Sequence, residues 1–168
     1  GGNLERDIVN LNNLNKQLNI NTELFQTFIN ESKNQKKWLV ETISKLIKNK
    51  FILKNTSIGI LGIGYKENTN SIKNSPSLIL INALRKYNLF CYDRLLNNKK
   101  ILNYKIKWLS LFHIITNVDV LFIMHNEKKI NSKFYKNHLL KNNYKVIIDP
   151  YRILDEKIRS KLINYVSL

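Results

Sequence analysis

The residues best suited to chemistry stand directly after apolar segments that predict strands. Lys66 and Lys73 lie in a long polar loop after the segment Ser57–Leu61, and Arg152 follows another such segment. In an open parallel sheet, ligands bind beyond the carboxyl ends of the strands. Cations at that edge would attract an anionic ligand. We favour Lys66 most as a ligand contact, with a solvated lysine in a lysine-rich chain as the alternative, and Tyr65 could line the pocket or pack under the loop.

Other reactive groups give weaker signals. Only Gly62 and Gly64 follow the first strand, so the loop lacks the G-x-G-x-x-G spacing of a dinucleotide fingerprint. The single cysteine, Cys91, lies within a predicted strand, which favours a core thiol and excludes an internal disulfide or a thiolate zinc cluster. The three histidines show no mutual ligand spacing, and we expect no metal site: His113, His125 and His138.

Codon bias is the explanation that we favour for the strongly basic composition. The 168 residues include 28 Lys and Arg against 12 Asp and Glu, a formal net charge of +16. Asn (26), Lys (23) and Ile (23) are enriched together, whereas Arg occurs only 5 times. These three residues have A/T-rich codons, so a nucleotide-biased genome explains the charge better than selection for a polyanion, which favours Arg. We therefore expect no nucleic-acid partner, with a basic nucleic-acid binder as the least favoured alternative.

Length and hydropathy bound the architecture. The length fits one α/β-sized domain with an appended helical piece. No apolar run reaches about 18 residues, so we expect no membrane-spanning helix. With no signal peptide in the sequence, we expect a cytoplasmic protein. The first residue is Gly rather than Met, which suggests a piece of something longer.

The first fifty residues predict two helices. Apolar residues at three- and four-residue spacing predict a short helix over 4–19. A second stripe predicts a helix of about 28 residues over 22–49, with Thr22 in its N-cap region. The stripe comprises Phe25, Ile29, Leu39, Ile43, Leu46 and Ile47. Because this helix is longer than one small domain needs, we expect it to bridge domains or pack on a twin; an ordinary core-packing helix is the alternative.

From residue 51 onwards, apolar strands alternate with helices. The predicted strands cover 57–61, 89–92, 118–124, 144–148 and 165–168. The predicted helices cover 76–87, 109–117, 132–141 and 154–162. This alternation indicates a parallel sheet covered on both faces. The predicted fold is therefore α/β, a long central helix followed by a Rossmann-like doubly wound parallel sheet, with a helical segment at 1–50 and the Rossmann-like domain at 51–168.

The loop after the first strand carries a specific motif. It reads LGIGYK over 61–66, followed by Thr69, Ser71, Lys73 and then Ser75-Pro76. This string resembles the opening of the C-terminal domain in the UDP-glucose/GDP-mannose dehydrogenase family, the nucleotide-sugar 6-dehydrogenases. Three further segments agree with that family in order and spacing: FCYD at 90–93, NVDVL at 117–121 and IIDPYR at 147–152. The helix at 22–49 resembles the central helix through which family members dimerise.

The resemblance implies a site, residue by residue. Tyr65, Lys66 and Arg152 would bind a UDP-sugar. Lys73 stands where the family has an arginine that contacts the cofactor, NAD, and it keeps the charge while losing the planar fork. On this basis we expect Lys66 to face Arg152 across the carboxyl edge of the sheet. Two cations converging there would form a site for a diphosphate or for sugar hydroxyls.

The opening GGNLERD resembles the family's catalytic turn, G-G-x-C-[FL]-x-[KR]-D. Asn3 falls where the nucleophilic cysteine belongs, and an amide nitrogen cannot form the thiohemiacetal that the family's thiolate forms. Arg6 would help to stabilise an oxyanion or would pair with a neighbouring carboxylate. Asp7 would orient water in a working enzyme or would simply be a helix N-terminal carboxylate.

Two functions follow from the resemblance. The first is the C-terminal part of an NAD-dependent nucleotide-sugar 6-dehydrogenase, which oxidises a UDP-sugar to the uronate for polysaccharide precursor synthesis and is not competent alone. The alternative is a catalytically inactive nucleotide-sugar-binding or assembly module, which Asn3 and Lys73 favour. In both cases the implied partners are a UDP-sugar and a second copy of the chain, joined through the helix at 22–49.

Overall fold

Short apolar segments form the sheet at the centre of the molecule. The computed structural model describes residues 2–96 and 106–168, without the side chains of residues 2, 3, 35 and 36. This part of the chain contains a six-stranded sheet in the order β3-β2-β1-β4-β5-β6, and every described pairing is parallel. The strands are β1 (Ser57–Leu61), β2 (Asn88–Tyr92), β3 (Lys107–Trp108), β4 (Val120–Ile123), β5 (Val146–Ile148) and β6 (Tyr165–Val166).

The strand order places a crevice beside β1. The chain builds the sheet outwards from β1 to β3 and then returns to the other side of β1, where β4 pairs with it. The crossover direction therefore reverses between β1 and β4. In such folds the loops after the two central strands diverge and leave a crevice for a ligand at their carboxyl ends.

Helices cover both faces of the sheet. They are α1 (Gly2–Gln17), α2 (Glu23–Lys48), α3 (Pro76–Leu84), α4 (Leu111–Thr116), α5 (Lys133–Lys141) and α6 (Glu156–Arg159), with a 3-10 turn at Lys128–Asn131. Among the described helices, none combines the length and apolar character that crossing a membrane requires.

The core lies in two layers, one on each face of the sheet. Ile58 and Ile60 of β1 belong to a buried cluster that includes residues of α2 and α3. Leu61 belongs to a second cluster, formed with residues of α4, α5 and α6. Side chains of successive strand residues point to opposite faces, so a strand buried on both sides must be apolar throughout. The predicted doubly wound α/β fold is confirmed.

The long helix α2 takes part in this core. Leu39, Ile43 and Leu46 are buried in the cluster with β1 and α3. Over the second half of the helix, the structure therefore agrees with the alternative of a core-packing helix, because the sheet and α3 cover this face. In the first half, Phe25 and Ile29 are only half-buried, and α1 packs against α2.

Helix and strand ends differ from the predictions in small ways. The predicted N-cap residue of α2, Thr22, makes no capping hydrogen bond with its side chain; Oδ1 of Asn21 accepts the bond from the Glu23 N–H instead. Helix α3 begins as predicted, with Ser75 accepting a bond from the Ser77 N–H. Neither β3 nor the 3-10 turn was predicted.

Candidate functional site

The carboxyl edge of the sheet opens into a cavity of about 840 Å³ beneath the helical segment. Its polar wall includes Lys66 from the loop after β1 and Arg152 from the loop after β5. Trp38 of α2 forms part of the opposite, helical wall. Since side chains from three separate elements meet here, the cavity is the candidate ligand site of the described chain.

The loop after β1 needs glycine at two positions. Gly62 has φ +92, and a Cβ there would lie 2.5 Å from Cβ of His125. A Cβ on Gly64 would lie 2.9 Å from the carbonyl oxygen of Thr69. A side chain at position 62 would push this loop away from the residue after β4, and one at position 64 would clash with the loop's own backbone, which explains the two glycines of the LGIG motif.

A buried carboxylate fixes the same loop. Oδ2 of Asp93, which directly follows β2, accepts hydrogen bonds from the N–H groups of Ile63 (2.8 Å) and Gly64 (3.0 Å). Its Oδ1 accepts from the N–H groups of Leu95 (2.9 Å) and Leu96 (3.1 Å). With both oxygens occupied by the backbone, Asp93 shapes the site and is not a free acceptor for a ligand.

His125 stands behind this loop. Its Nδ1 lies 3.9 Å from Oδ2 of Asp93, and its ring packs on Gly62 and Gly64. His125 borders the large cavity and also a smaller one of about 260 Å³, which reaches Arg94 beyond β2. The two cavities therefore adjoin at His125 and at Lys66, which lines both.

The loop after β5 has the same kind of internal support. Asp149 is fully buried and accepts hydrogen bonds from the Ile153 N–H (2.9 Å), the Leu154 N–H (2.9 Å) and the Tyr165 hydroxyl (2.8 Å). Burial and the hydrogen bond to Asp149 both raise the pKa of Tyr165, so its hydroxyl remains a donor. These bonds hold Arg152, which has φ +52, at the cavity rim.

The structure brings three predicted substrate residues together. Tyr65, Lys66 and Arg152 all line the large cavity. Nζ of Lys66 lies 5.3 Å from the centroid of the Tyr65 ring, within cation–π range. Lys73, the predicted cofactor residue, is exposed on the same loop and lines neither cavity.

The predicted catalytic residues lie apart from this group. Arg6 and Asp7 are exposed on α1, where Nε and an Nη atom of Arg6 both donate to Oδ1 of Asp7 (3.0 and 2.9 Å). Neither residue lines either of the two cavities described above, although the neighbouring Glu5 borders the large one. Asn3 belongs to α1, and its side chain is outside the described part of the structure.

The residues present do not form a dinucleotide cradle. In the loop after β1, Oγ of Ser75 donates to the Ile63 carbonyl (2.7 Å) and Oγ of Ser77 donates to the Gly62 carbonyl (2.7 Å). At the start of α3 the Ser77 N–H donates to Oγ of Ser75 and the Leu78 N–H donates to the Ser75 carbonyl, whereas Pro76 has no N–H. These groups are therefore not free for a pyrophosphate. Cys91 is buried in β2, where burial and then Asp93 raise the pKa of its thiol to about 12. Among the described side chains, no cluster is suited to a metal ion.

Sequence reasoning missed three residues that shape the site. From the sequence, Asp93 could be recognised only as the end of the FCYD segment, and His125 only as a histidine after a strand. Trp38 could be recognised only as an aromatic residue on the long helix. The position of Asp93 after a central strand was a usable signal. Nothing in the sequence indicated that Trp38 borders the same cavity as Lys66.

Comparisons with known proteins agree with this geometry. Residues 59–156 match the model of the UDP-glucose/GDP-mannose dehydrogenase family, UDP binding domain. The chain is 29% identical over 166 residues to the UDP-glucose 6-dehydrogenase of Rickettsia prowazekii (strain Madrid E), and this match covers 94% of the chain and 37% of that relative. The corresponding protein of Rickettsia typhi (strain ATCC VR-144 / Wilmington) is 26% identical over 163 residues, with the same coverage. The chain thus spans little more than a third of the length of these relatives.

Solved structures share the fold. The UDP-glucose dehydrogenase from the hyperthermophilic archaeon Pyrobaculum islandicum superposes with a TM-score of 0.71 at 14% identity, over 99% of this chain and 37% of that one. The GDP-mannose dehydrogenase of Pseudomonas aeruginosa gives a TM-score of 0.69 at 16% identity, over 96% of this chain and 37% of that one. The family model matches more than half of the chain and contains both the Gly62 loop and the Arg152 loop. The chain therefore belongs to the UDP-glucose/GDP-mannose dehydrogenase family, and residues 59–156 correspond to its UDP binding domain.

Proposed function

We propose that this chain is the nucleotide-sugar-binding part of an NAD-dependent nucleotide-sugar 6-dehydrogenase, and that a UDP-sugar occupies the large cavity. The observation that carries the proposal is the joint position of Lys66 and Arg152 on one cavity wall, within the segment that matches the UDP binding domain. Its volume, about 840 Å³, lies within the range of small-molecule sites.

The two cations would bind the diphosphate. Lys66 and Arg152 have no ion-pair partner among the described residues, so both charges are available to a ligand. Arg152 can offer two parallel N–H groups to a phosphate, whereas Lys66 acts as a point charge. Tyr65, beside Lys66, limits how far that ammonium group can swing.

Calorimetric titration tests this proposal. UDP, UDP-glucose and UDP-N-acetylmannosamine are titrated into the wild type, Lys66→Ala and Lys86→Ala at physiological salt. Lys86 is exposed between α3 and β2, at the opposite edge of the sheet, so its removal changes the overall charge equally but leaves the cavity intact. We expect Lys66→Ala to weaken binding about tenfold, the equivalent of one charge-assisted hydrogen bond, and Lys86→Ala to have little effect. Equal small effects would mean non-specific attraction to a basic surface.

We include NAD as the cofactor of the proposed dehydrogenase because the family resemblance implies it. The described residues form no cradle for it, so we assign no step of hydride transfer to them. Lys73, exposed beside the cavity loop, is the residue of this chain that we propose to reach toward the cofactor.

A catalytically inactive binding or assembly module is the second candidate. The observation that favours it is Asn3 at the position of the family's nucleophilic cysteine, together with an Arg6–Asp7 pair that lines neither cavity. Both candidates share the UDP-sugar site. If the chain is part of a nucleotide-sugar 6-dehydrogenase, the proposal also includes a role in polysaccharide precursor synthesis and a cytoplasmic location.

We also propose a homodimer through the helical segment. Exposed apolar side chains support it, notably Leu24 and Phe28 on α2, Leu4 on α1 and Leu18 directly after α1. Sedimentation equilibrium is the test: the 19.9 kDa chain should sediment as a dimer, and changing Leu24 and Phe28 to Asp should produce a monomer. These two residues are better probes than Phe25 and Ile29, which are half-buried within the chain itself. A wild type that stays monomeric would exclude this dimer.

A further inference from the structure

The large cavity has two chemically different walls. Lys66 and Arg152 line the side formed by the sheet loops, whereas Pro76 and Ile79 of α3 and Met124 after β4 make apolar contributions. Such a cavity suits a ligand with an anionic end and a flat apolar end.

Trp38 is the largest aromatic side chain of the helical wall. It packs in part against the buried cluster that contains Leu39 and Ile43, and the remainder of it borders the cavity. Successive residues of a helix are about 100° apart around its axis. Leu39 is buried in the core and touches the cavity only at its inner edge, whereas the half-buried Trp38 borders the cavity from the outer side of the same turn.

We propose that Trp38 stacks against the pyrimidine ring of the ligand and so favours a nucleotide over a bare diphosphate. This inference rests on the proposed function of the same cavity. Lys66 and Arg152 hold the diphosphate, and the base extends from it to the apolar helical wall. Stacking of a base on an aromatic side chain contributes substantially to binding and depends on the π-face of the base. The helical segment thus supplies part of the UDP-sugar site, outside residues 59–156.

The chain contains only two tryptophans, which makes Trp38 a direct reporter. Trp108 lies on β3, where it is half-buried against the core and lines neither cavity. In the Trp108→Phe protein, emission therefore comes from Trp38 alone. We expect UDP to quench that emission and inorganic pyrophosphate to leave it almost unchanged, because pyrophosphate has no ring to stack.

Calorimetric titration of Trp38 variants measures how much the side chain contributes to the affinity for UDP and for pyrophosphate. Trp38→Leu keeps an apolar side chain and should weaken UDP binding about tenfold, with pyrophosphate binding changed less than about twofold. Trp38→Phe keeps a flat ring and should stay within about threefold of the wild type for UDP. Thermal unfolding of each variant shows whether it is folded before titration.

The outcomes separate this inference from the proposed function. The stacking role is overturned, and the proposed function left intact, if UDP binding is lost in Lys66→Ala but unchanged in Trp38→Leu. The same conclusion follows if UDP binds without quenching the emission of Trp38. UDP binding unchanged in Trp38→Leu with UDP-glucose binding weakened would assign Trp38 to the sugar and also overturn it. A wild type that binds no uridine nucleotide overturns both.

Discussion

Buried carboxylates position the loops that carry the exposed cations of the site. Asp93 and Asp149 each follow a strand; Asp93 accepts N–H groups of the loop after β1, and Asp149 accepts N–H groups of its own loop. Lys66 and Arg152 are exposed, and their own contacts do not hold their loops in place. The site therefore depends on acidic residues that would not touch the ligand.

Asp93→Asn should destabilise the protein by about 3 kcal/mol. An amide has one acceptor oxygen where the carboxylate has two, and its NH2 would face two N–H donors that then lose their partner. Urea unfolding measures the loss. The control is Asp155→Asn, which removes an exposed carboxylate paired with Lys136 and should cost well under about 1 kcal/mol. Equal losses in the two variants would refute the structural role of Asp93.

Asp119 should make stability depend on pH. Burial acts to raise its pKa, but the hydrogen bonds from the Ser57 N–H and hydroxyl, with the charge of Lys145, hold the pKa below its ordinary value. A carboxyl with a lowered folded pKa stabilises the protein above its unfolded pKa, and this contribution disappears as pH falls through the folded pKa.

Asp119→Asn should therefore lose about 1 kcal/mol at pH ~7, a modest amount because the side chain is only half-buried. The difference from the wild type should shrink as the pH falls below about 4, where the carboxylate of the wild type begins to protonate. Urea unfolding at neutral and acidic pH measures both values. A gap that stays constant down to pH ~3 would show that the charge of Asp119 is not involved.

At this scale the sequence predicted the residues that line the cavity better than the residues that support its loops. Tyr65, Lys66 and Arg152 were recognisable because motifs and strand ends mark them, and they do share one cavity. The contact between His125 and Gly62 was not predictable, because it depends on how closely the loops after β1 and β4 approach. That distance is set by the packing of the whole sheet.

The strands were more predictable than the helices. Strand β1 falls at the predicted residues, because its apolar run is bounded by polar residues and by Gly62. Helix α3 ends at Leu84, before the predicted Tyr87, since helix ends depend on local capping rather than on periodicity. Strand β3 was missed because it has two residues, Lys107 and Trp108, too few for a hydrophobic pattern.

The two faces of α2 should respond differently to truncation. Ile43 is 3% exposed in the core, so Ile43→Ala should cost about 3 kcal/mol through lost burial and the cavity left behind. Leu24 is 63% exposed at the other end of the helix, so Leu24→Ala should leave the unfolding free energy of an isolated chain almost unchanged. Urea unfolding at low protein concentration compares them. A cost for Leu24→Ala equal to that of Ile43→Ala would contradict the assignment of the core face.

For the whole molecule, both the net charge and the cavity contribute to the binding of an anionic ligand. The net charge of +16 attracts any anion, so weak binding of UDP by itself says little about the cavity. Screening by salt reduces this long-range attraction more than it reduces close contacts with a partly enclosed ligand. Binding at physiological salt therefore reports the site, whereas binding at low salt reports the surface.

The chain by itself should oxidise no nucleotide sugar. Oxidation to the uronate needs a hydride acceptor and a nucleophile for the aldehyde stage. The described residues offer no dinucleotide cradle, and the family resemblance of the opening segment implies that Asn3 replaces the nucleophile. NADH formation with UDP-glucose and related sugars should stay at background. Asn3→Cys should restore no turnover either, because the described residues would still offer no site for the hydride acceptor. Turnover by the wild type would overturn the proposal of an incompetent part, whereas turnover only in Asn3→Cys would show that the missing thiol is the sole defect.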